Sequence, residues 1–413
     1  MCKRTILNFS LRSSFILNFN SRVGFNLDTN YKVMRFIHTS DWHLGRLFNQ
    51  ASLYDDQAYV LQQILAYAIE YKVEAILLSG DIYDRSSPPI QAIQLFDQFL
   101  EQLNSAGIRM IMISGNHDSA VRVGFAAHAL ERGGIFIKSD LADAVKPVLI
   151  ERAQGKAIHL YGLPYIDPEY VNAFYQLDPA THSYQEAHQF VLDQIPLQAD
   201  SVNILLAHCF IDGAAISESE RQLSVGGATA VAADTFKSFD YVALGHMHGE
   251  QSRSYEHIRY SGSILKYSFS EEKHRKAVTL IEVDEEGAVS WQSLALRPLR
   301  EVRTVEGMFA DILAAAKIDP QANDYIRVIL HDTAALLEPM SQLREYYPNI
   351  LKLEKSIFKE KMSAPQASHL DLAKRTEIDV FNDFYQAFIG EPLSEEQEQI
   401  MRDIVKHVRT EEQ

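Results

Sequence analysis

From Met34 onward, short apolar runs alternate with amphipathic segments of helical length, and this alternation limits the possible folds more than any other feature. Ile108–Ile113 has the length and β-branched content of a buried strand, whereas about Tyr54–Tyr71 carries apolar residues at helical spacing. Strands and helices that alternate in this way need crossover connections, which favour a largely parallel sheet. We therefore predict an α/β fold, with a further strand at 75–78 and a further helix at about 90–103.

The pattern changes between residues 135 and 165, where three short apolar runs follow one another without long helices between them. This part of the chain favours a second β-sheet packed on the first. Later strands are predicted near 202–207, 241–244 and 278–283, the last followed by a hairpin. A smaller α+β region begins near residue 296, and only helical patterns, at about 378–389 and 395–408, follow residue 363.

Residues 1–33 differ in composition from the rest of the chain. They contain several Lys and Arg residues, one acidic residue (Asp28), and many Ser and Asn. A transit or signal peptide shares this bias, but polar residues interrupt every apolar run and no small-residue cleavage pattern follows. We expect a disordered or non-native extension that is translated from a start upstream of Met34.

Charge and cysteine content exclude several classes of protein. The formal net charge of −16 over 413 residues argues against a surface that is one broad nucleic-acid-binding face. It does not exclude a nuclease, because cations and a few basic side chains can hold phosphates. The only cysteines, Cys2 and Cys209, provide neither a disulfide framework nor a thiolate zinc site. A reducing, cytosolic compartment is therefore expected.

Side chains that bind metals or move protons follow five predicted strands, at the carboxyl end of each. One of these motifs, Gly115-Asn116-His117-Asp118, consists largely of turn residues, and a lone histidine after a strand is more often structural than a ligand. Because the carboxyl ends of parallel strands meet at one edge of a sheet, the five together argue against coincidence. The others are Asp41-x-His43, Gly80-Asp81-x-x-Asp84, His208 and Gly245-His246-x-His248.

These residue types match the needs of a two-metal site for phosphoryl transfer. Two cations about 3.5–4 Å apart need one bridging carboxylate, with terminal nitrogen and oxygen ligands. Carboxylate, imidazole and amide donors without thiolate favour Mn, Fe or Zn over copper(I) or a structural zinc finger. The imidazoles also disfavour an all-oxygen Ca or Mg site.

The motifs resemble those of the calcineurin-like metallophosphoesterase superfamily. The longer stretches 37–45 and 262–271 are similar, more narrowly, to those of the bacterial SbcD nuclease family, and this resemblance runs from Met34 to near the C-terminus. It implies a metallophosphoesterase sandwich, in which two packed β-sheets are flanked by helices. The expected division is a nuclease domain at 34–295, an α+β capping domain at 296–365, and C-terminal helices at 366–413 that dock an ATPase partner.

The resemblance also implies two divalent cations, expected to be Mn2+, that share Asp81. One would be held by Asp41, His43, Asp81 and His248, and the other by Asp81, Asn116, His208 and His246. His117 matches the non-ligand histidine that protonates the leaving oxygen or stabilises developing charge. Asp84 is assigned to orient His117 by accepting its other ring N–H, although some relatives have histidine there. Arg46, Arg85 and the run 273–276 are candidates for contacts with phosphates.

The function implied is an ATP-regulated DNA nuclease, with 3′→5′ double-strand exonuclease and single-strand or hairpin endonuclease activity, in repair, recombination and replication. Its partner would be SbcC, a coiled-coil ATPase of the SMC-like type, in a heterotetramer that contains a homodimer of this chain. The location expected is the cytoplasm, in association with the nucleoid. Near the C-terminus, one face of a predicted helix carries an apolar stripe, formed by Ile400, Met401, Ile404, Val405 and Val408. Packing within the chain and docking of a partner explain this stripe equally well.

Two alternatives remain on the sequence. A stand-alone metallophosphatase or phosphodiesterase would use the same ligands on nucleotides or phosphoproteins, but it would not need the capping region and C-terminal helices. A DNA-end tether with a degenerate site would not need the complete ligand set. The nuclease hypothesis accounts for both features.

Overall fold

The computed structural model describes residues 33–220, 229–356 and 392–411, and also 376, 378, 379, 381, 382, 385 and 386. The extension predicted at 1–33 therefore lies outside the described residues, apart from Val33. No helix among the described residues is long and apolar enough to cross a membrane.

Strands and helices follow the alternation read from the sequence. The strands are β1 (Met34–Thr39), β2 (Leu47–Phe48), β3 (Ala51–Ser52), β4 (Ala75–Ser79), β5 (Arg109–Ile113), β6 (Ile135–Lys138), β7 (Val148–Ile150), β8 (Ile158–Leu163), β9 (Val202–His208), β10 (Phe210–Ile211), β11 (Ala230–Val231), β12 (Tyr241–Gly245), β13 (Gln251–Arg253), β14 (Tyr255–Tyr260), β15 (Ala277–Val283), β16 (Val289–Ala295), β17 (Val302–Gly307), β18 (Tyr325–Leu330) and β19 (Ile350–Lys355). The helices are α1 (Tyr54–Glu70), α2 (Ile90–Ser105), α3 (Ala120–Val123), α4 (Ala127–Leu130), α5 (Leu141–Ala144), α6 (Pro168–Tyr175), α7 (Tyr184–Asp193), α8 (Phe309–Ala316), α9 (Pro339–Arg344) and α10 (Glu395–Glu411).

Two six-stranded sheets form the body of the protein. The first has the order β16-β15-β1-β4-β5-β6, in which β1, β4, β5 and β6 pair in parallel and the β15–β16 hairpin adds antiparallel strands at one side. The second has the order β13-β14-β12-β9-β8-β7, with a parallel centre from β14 to β8. The sequence grouped β6 with β7 and β8, and this was wrong, because Met110 on β5 pairs with Ile135 and places β6 in the first sheet.

Burial explains why the two sheets stack. Phe36, Leu77 and Ile111 from the first sheet pack against Leu160 and Leu206 from the second, and all are fully buried. Burying one such side chain contributes about 1.5–3 kcal/mol, so this layer stabilises the contact between the two sheets. Helices α1 and α2 cover the outer face of the first sheet, and α6 and α7 cover that of the second. The predicted metallophosphoesterase sandwich is therefore the observed architecture.

A three-stranded parallel sheet, β17-β18-β19, follows the body in the chain. Its buried residues, including Ile312, Val328 and Leu343, form a separate core with α8 and α9. The region is anchored to α1 of the body, because Asp56 accepts hydrogen bonds from Arg300 (2.5 Å) and from the Tyr325 hydroxyl (2.8 Å). Strand β17 was not predicted, since its charged and half-buried residues lack an apolar run.

The C-terminal helix α10 carries part of the predicted apolar stripe on its surface. Ile400 is 54% exposed and Ile404 is 49% exposed, one helical turn apart. The side chain of Val408 lies outside the described residues, as does most of the helix predicted at 378–389. Within the part of the chain that is described, the two isoleucines therefore lack full cover.

Candidate metal centre

The carboxyl ends of strands from both sheets meet at one edge of the sandwich. Strands β1, β4 and β5 lead into the motifs of Asp41, Asp81 and Asn116, while β9 ends at His208 and β12 leads into His246. In-register pairing of β9 with β12 puts Gly245 opposite His208. The fold thus brings together side chains that are more than 200 residues apart in the chain.

The candidate ligands are buried, and several have an unusual backbone. Positive φ angles occur at Asp41 (52°), His43 (44°), Asp81 (50°) and His246 (107°). Such angles are uncommon for residues other than glycine and cost on the order of 1–3 kcal/mol each. The surrounding sheets impose this strain, which turns each side chain sharply from its strand into the same space.

Two glycines allow the motifs to approach one another. A Cβ atom at Gly115 would lie 2.1 Å from Asp81 Oδ1, and one at Gly245 would lie 1.9 Å from the main-chain oxygen of Ser79. Any side chain at these positions would push apart the loops that carry the candidate ligands. The glycines of the sequence motifs are therefore required by close packing.

The first half of the centre, which we call the His248 half, consists of Asp41, His43 and His248. Their ligand atoms all lie within 4.8 Å of one another, and the Nε2 atoms of the two histidines are 3.1 Å apart. Asp41 is fixed because both of its carboxylate oxygens accept the main-chain N–H of His246, at 3.0 and 3.1 Å. Burial lowers the pKa of His43 well below its ordinary value, which keeps this ring in the neutral form that binds metals.

The second half, the His208 half, consists of Asn116, His208 and His246. Asn116 Oδ1 lies 3.0 Å from His208 Nε2 and 3.0 Å from His246 Nδ1. His208 donates its Nδ1–H to the carbonyl oxygen of Ser79 (2.8 Å), so Nε2 is the ring atom that faces the amide oxygen. At this distance a proton on Nε2, or a cation in its place, joins the ring to the amide oxygen.

Asp81 lies between the two halves. Its Oδ2 is 3.7 Å from His43 Nε2 and 3.5 Å from His208 Nε2, while Oδ1 accepts the main-chain N–H of His117 (2.9 Å). Burial opposes ionisation of Asp81, but His208 and the other nearby histidines hold the pKa of this carboxyl well below its usual range. Burial likewise opposes protonation of His208, yet Asp81 raises the pKa of that ring to about 9.

This donor set fits two divalent cations. It combines oxygen and imidazole ligands without thiolate, and one carboxylate oxygen faces both halves. His43 presents Nε2 to His248 and Asp81, while its Nδ1 lies 3.8 Å from the carboxylate of Asp84. Buried divalent metal binding is therefore the chemistry that these residues support.

His117 lies at the same centre, with its ring centroid 4.6 Å from that of His43. Its Nδ1–H is donated to the main-chain carbonyl of Asp84 (2.8 Å), so the acceptor is not the side-chain carboxylate expected from the sequence. The Asp84 carboxylate instead accepts from the Arg46 guanidinium (3.2 Å). Residue 84 thus contacts His117 through a main-chain atom, which every amino acid possesses.

Several residues of the centre were not assigned a role from the sequence. Asp118 accepts main-chain N–H groups of Ile82, Tyr83 and Gly115, and so it ties the loop after β4 to the loop after β5. Glu271 is fully buried beside the ring of His248, at 3.2 Å. Glu271 belongs to a stretch that carries the family resemblance, but no spacing rule connects it to His248.

The basic candidates for phosphate contacts have different surroundings. Lys276 is buried and pairs with Glu271 (2.5 Å), and Arg46 is held by Asp84, which leaves Arg85, Lys273 and Arg275 exposed. The last two line a cavity of about 410 Å³ where the body meets the three-stranded sheet. This cavity borders the centre through Lys276 but does not include the candidate ligands.

Comparison with family models gives two matches. A model described as calcineurin-like phosphoesterase matches residues 34–250, and one described as the C-terminal domain of a type 5 capsule protein repressor matches residues 296–387. The first covers the strands and loops that carry every candidate ligand.

Comparison with known proteins gives similar relatives over almost the whole chain. The SbcD subunit of the nuclease SbcCD from Staphylococcus epidermidis is 32% identical over 378 residues, which cover 91% of this chain and 98% of the relative. Its counterpart from Staphylococcus saprophyticus is 33% identical over 375 residues, with 90% and 98% covered. A dimetal phosphatase from Danio rerio matches 64% of this chain and 99% of its own at 13% identity, with a TM-score of only 0.37, and supports no further argument.

Proposed function

The chain belongs to the SbcD family of nuclease subunits within the calcineurin-like phosphoesterases, and we propose that it is the metal-dependent DNA nuclease of an SbcCD-type complex. The reaction is hydrolysis of phosphodiester bonds. The activities we propose are a 3′→5′ exonuclease on duplex ends and an endonuclease on single strands and hairpins, regulated by ATP through the partner. The proposed setting is DNA repair, recombination and replication, in the cytoplasm at the nucleoid.

The observation that supports this proposal best is the position of Asp81 between two sets of donors. A single carboxylate that faces His43 on one side and His208 on the other matches the bridging ligand of a two-metal centre. We propose Asp41, His43, Asp81 and His248 for one cation, and Asp81, Asn116, His208 and His246 for the other. Mn2+ is the cation we propose, because mixed imidazole and oxygen ligands suit it.

Bound cations would activate water and neutralise charge on the phosphate, while the protein holds the reacting groups. His117 is proposed to protonate the leaving oxygen or to stabilise its charge. Donation of Nδ1–H to Asp84 fixes the tautomer and leaves Nε2 as the atom for that chemistry. The main-chain bond from His117 to Asp81 keeps the ring at a fixed position relative to both halves.

We propose that residues 34–295 form the nuclease domain, 296–365 the capping domain, and 366–413 the helices that dock the ATPase. The separate core around Val328 supports an independent capping unit. Exposed Ile400 and Ile404 support docking of a partner helix, as in helix-in-groove recognition. The proposed partner is SbcC, in a heterotetramer built on a homodimer of this chain.

The decisive experiment uses the full chain, with and without its ATPase partner, in Mn2+ and in Mg2+. Substrates are labelled duplex DNA, hairpin DNA and phosphomonoesters, and Asp81→Asn controls for contaminating nucleases. Metal-dependent cleavage of duplex ends, with hairpin cleavage stimulated by the partner and ATP, is expected. Hydrolysis of phosphomonoesters alone would favour the stand-alone phosphatase and contradict the proposal.

Partner docking is tested by removing the chain after Pro365. The truncated protein is expected to cleave simple duplex ends but to lose co-purification with the ATPase. A matched control replaces only Ile400 and Ile404 by Ser, which removes the exposed apolar pair and leaves the rest of the chain. Full-yield co-purification of both variants would show that the docking surface lies elsewhere.

A further inference from the structure

His248 is bonded on every side except the one that faces the centre. Its Nδ1 lies 2.6 Å from Ser219 Oγ and 3.2 Å from Glu271 Oε1. Its main-chain N–H is donated to Glu220 (2.6 Å), and its carbonyl accepts the ammonium of Lys276 (2.8 Å). Nε2 is the ring atom that remains, and it faces His43 Nε2 at 3.1 Å.

Glu271 is rigidly held. One of its oxygens accepts from Lys276 at 2.5 Å, and the other accepts from the hydroxyl of Ser219. Lys276 is itself buried, with its remaining donors bonded to Ser263 Oγ (2.7 Å) and to the His248 carbonyl. A buried ion pair with all of its partners satisfied keeps a fixed geometry.

We propose that Glu271 and Ser219 are positioning residues for His248, and that Lys276 keeps Glu271 in place as a charged acceptor. The inference rests on the proposed assignment of His248 as a metal ligand. Donation of Nδ1–H to this pair leaves the lone pair at Nε2, aimed into the His248 half. A carboxylate partner also makes an imidazole a stronger ligand than a neutral partner does.

The outer ring nitrogen of His208 has no such charged partner among the described residues. His208 donates its Nδ1–H to the main-chain carbonyl of Ser79, which is neutral and belongs to a buried strand. Loss of Glu271 should therefore lower the affinity for one cation and leave the affinity for the other unchanged. A general loss of structure would lower both affinities, so this selectivity distinguishes the two explanations.

The test is calorimetric titration of the metal-free full chain with Mn2+, for the wild type and Glu271→Gln. Removing an outer partner of a metal-binding histidine costs about 10–100-fold in affinity. We expect that loss for one Mn2+ and an unchanged affinity for the other. The matched control is Glu272→Gln, because this neighbouring carboxylate bonds Thr304 and makes no contact with His248. It should bind both ions as the wild type does.

Two further variants address the stability of the ion pair. Glu271→Gln leaves Lys276 without its charged partner, so the double variant with Lys276→Met restores charge balance. A positioning role predicts that the double variant folds, as measured by circular dichroism, and that it still binds one of its two Mn2+ ions more weakly than the wild type does.

Ser219→Ala, at a half-exposed position, should lower the affinity for the same Mn2+ ion with the fold intact. If either folded variant binds both ions with wild-type affinity, the inference is overturned. If the wild type itself does not bind two Mn2+ ions, the proposed function is contradicted, and so is the inference that rests on it.

Discussion

The two halves of the metal centre use similar ligands but hold them in different ways. In the His248 half, the ring is fixed by the side chain of Ser219, from a loop, and by that of Glu271, from a single 3₁₀ turn. In the His208 half, the ring is fixed by the main-chain oxygen of Ser79, at the end of a fully buried strand. The first arrangement depends on residue identity, whereas the second depends on the fold itself. We therefore expect that mutation can change one proposed cation site without affecting the other.

The halves meet at few points. Asp81 faces both halves, and the Asp41 carboxylate of the His248 half accepts the main-chain N–H of His246 in the other. His38 links the strands beneath them, because this β1 residue bonds Tyr241 and Leu244 of β12. Changes at Asp81 should therefore affect both cations, and changes at a terminal ligand only one. The following predictions test this division.

Asp81→Asn should have the greatest effect, with loss of both cations and of nuclease activity. The amide carries no charge, so its oxygen would hold two cations much more weakly than a carboxylate oxygen does. Metal counting by mass spectrometry after dialysis measures the loss. Asp84→Asn is the control, since that carboxylate pairs with Arg46, and it should keep both ions. Two ions retained in Asp81→Asn would disprove the bridging assignment.

His117→Ala should slow cleavage by roughly 10²–10⁴-fold, the usual contribution of general acid catalysis, with both cations still bound. Asn116→Ala, at the neighbouring residue, should instead lower the affinity for the cation of the His208 half. Excess Mn2+ should recover part of the rate of Asn116→Ala and none of the rate of His117→Ala. The opposite pattern of rescue would require the two roles to be exchanged.

His248→Ala and His208→Ala should each remove one cation, from different halves. Each variant is expected to retain a single Mn2+ after dialysis, because the terminal ligands of the other half remain in place. Combining His248→Ala with Glu271→Gln should add no further loss, since Glu271 acts through His248. A double variant that loses the second ion would show that the halves are not independent.

His38 should make a smaller, pH-dependent contribution to stability. Burial lowers the pKa of this ring from 6.5 to about 3 in the folded protein. Below about pH 6.5 the unfolded chain takes up a proton that the folded chain excludes, so the free energy of unfolding falls as the solution is acidified. The loss is on the order of 3 kcal/mol by about pH 4.

Urea unfolding across this pH range, for wild type and His38→Gln, measures the effect of His38. The variant should show a shallower dependence on pH, while the exposed control His128→Gln should follow the wild type. Equal slopes for wild type and His38→Gln would show that His38 does not contribute to the pH dependence.

The sequence predicted the parts of the fold that rest on local pattern. Strands β4, β5 and β9 are continuous apolar runs, because both faces of each are buried, and their polar ends identified the candidate ligands. Strand β17 was not predicted from the sequence, because only one of its residues, Val302, is buried. Strand β6 was placed in the wrong sheet, since an apolar run does not state which strand it will pair with.

The residues that hold the candidate ligands in place were less predictable from the sequence than the candidate ligands themselves. Glu271 meets His248 across 23 residues, and Ser219 meets it across 29, through loops that have no periodicity. Positive φ at Asp41 and Asp81 also has no sequence signal, because the surrounding sheets impose it on residues other than glycine. Local chemistry identified which side chains gather, and only the tertiary structure shows what holds each of them.

The most direct test of a shared Asp81 is the electron paramagnetic resonance spectrum of the chain loaded with Mn2+ to saturation. Two ions bridged by one carboxylate, about 3.5–4 Å apart, are magnetically coupled. The wild type should therefore give the spectrum of a coupled pair, and His248→Ala that of an isolated ion. Only isolated-ion signals from the fully loaded wild type would contradict the two-metal centre proposed for this chain.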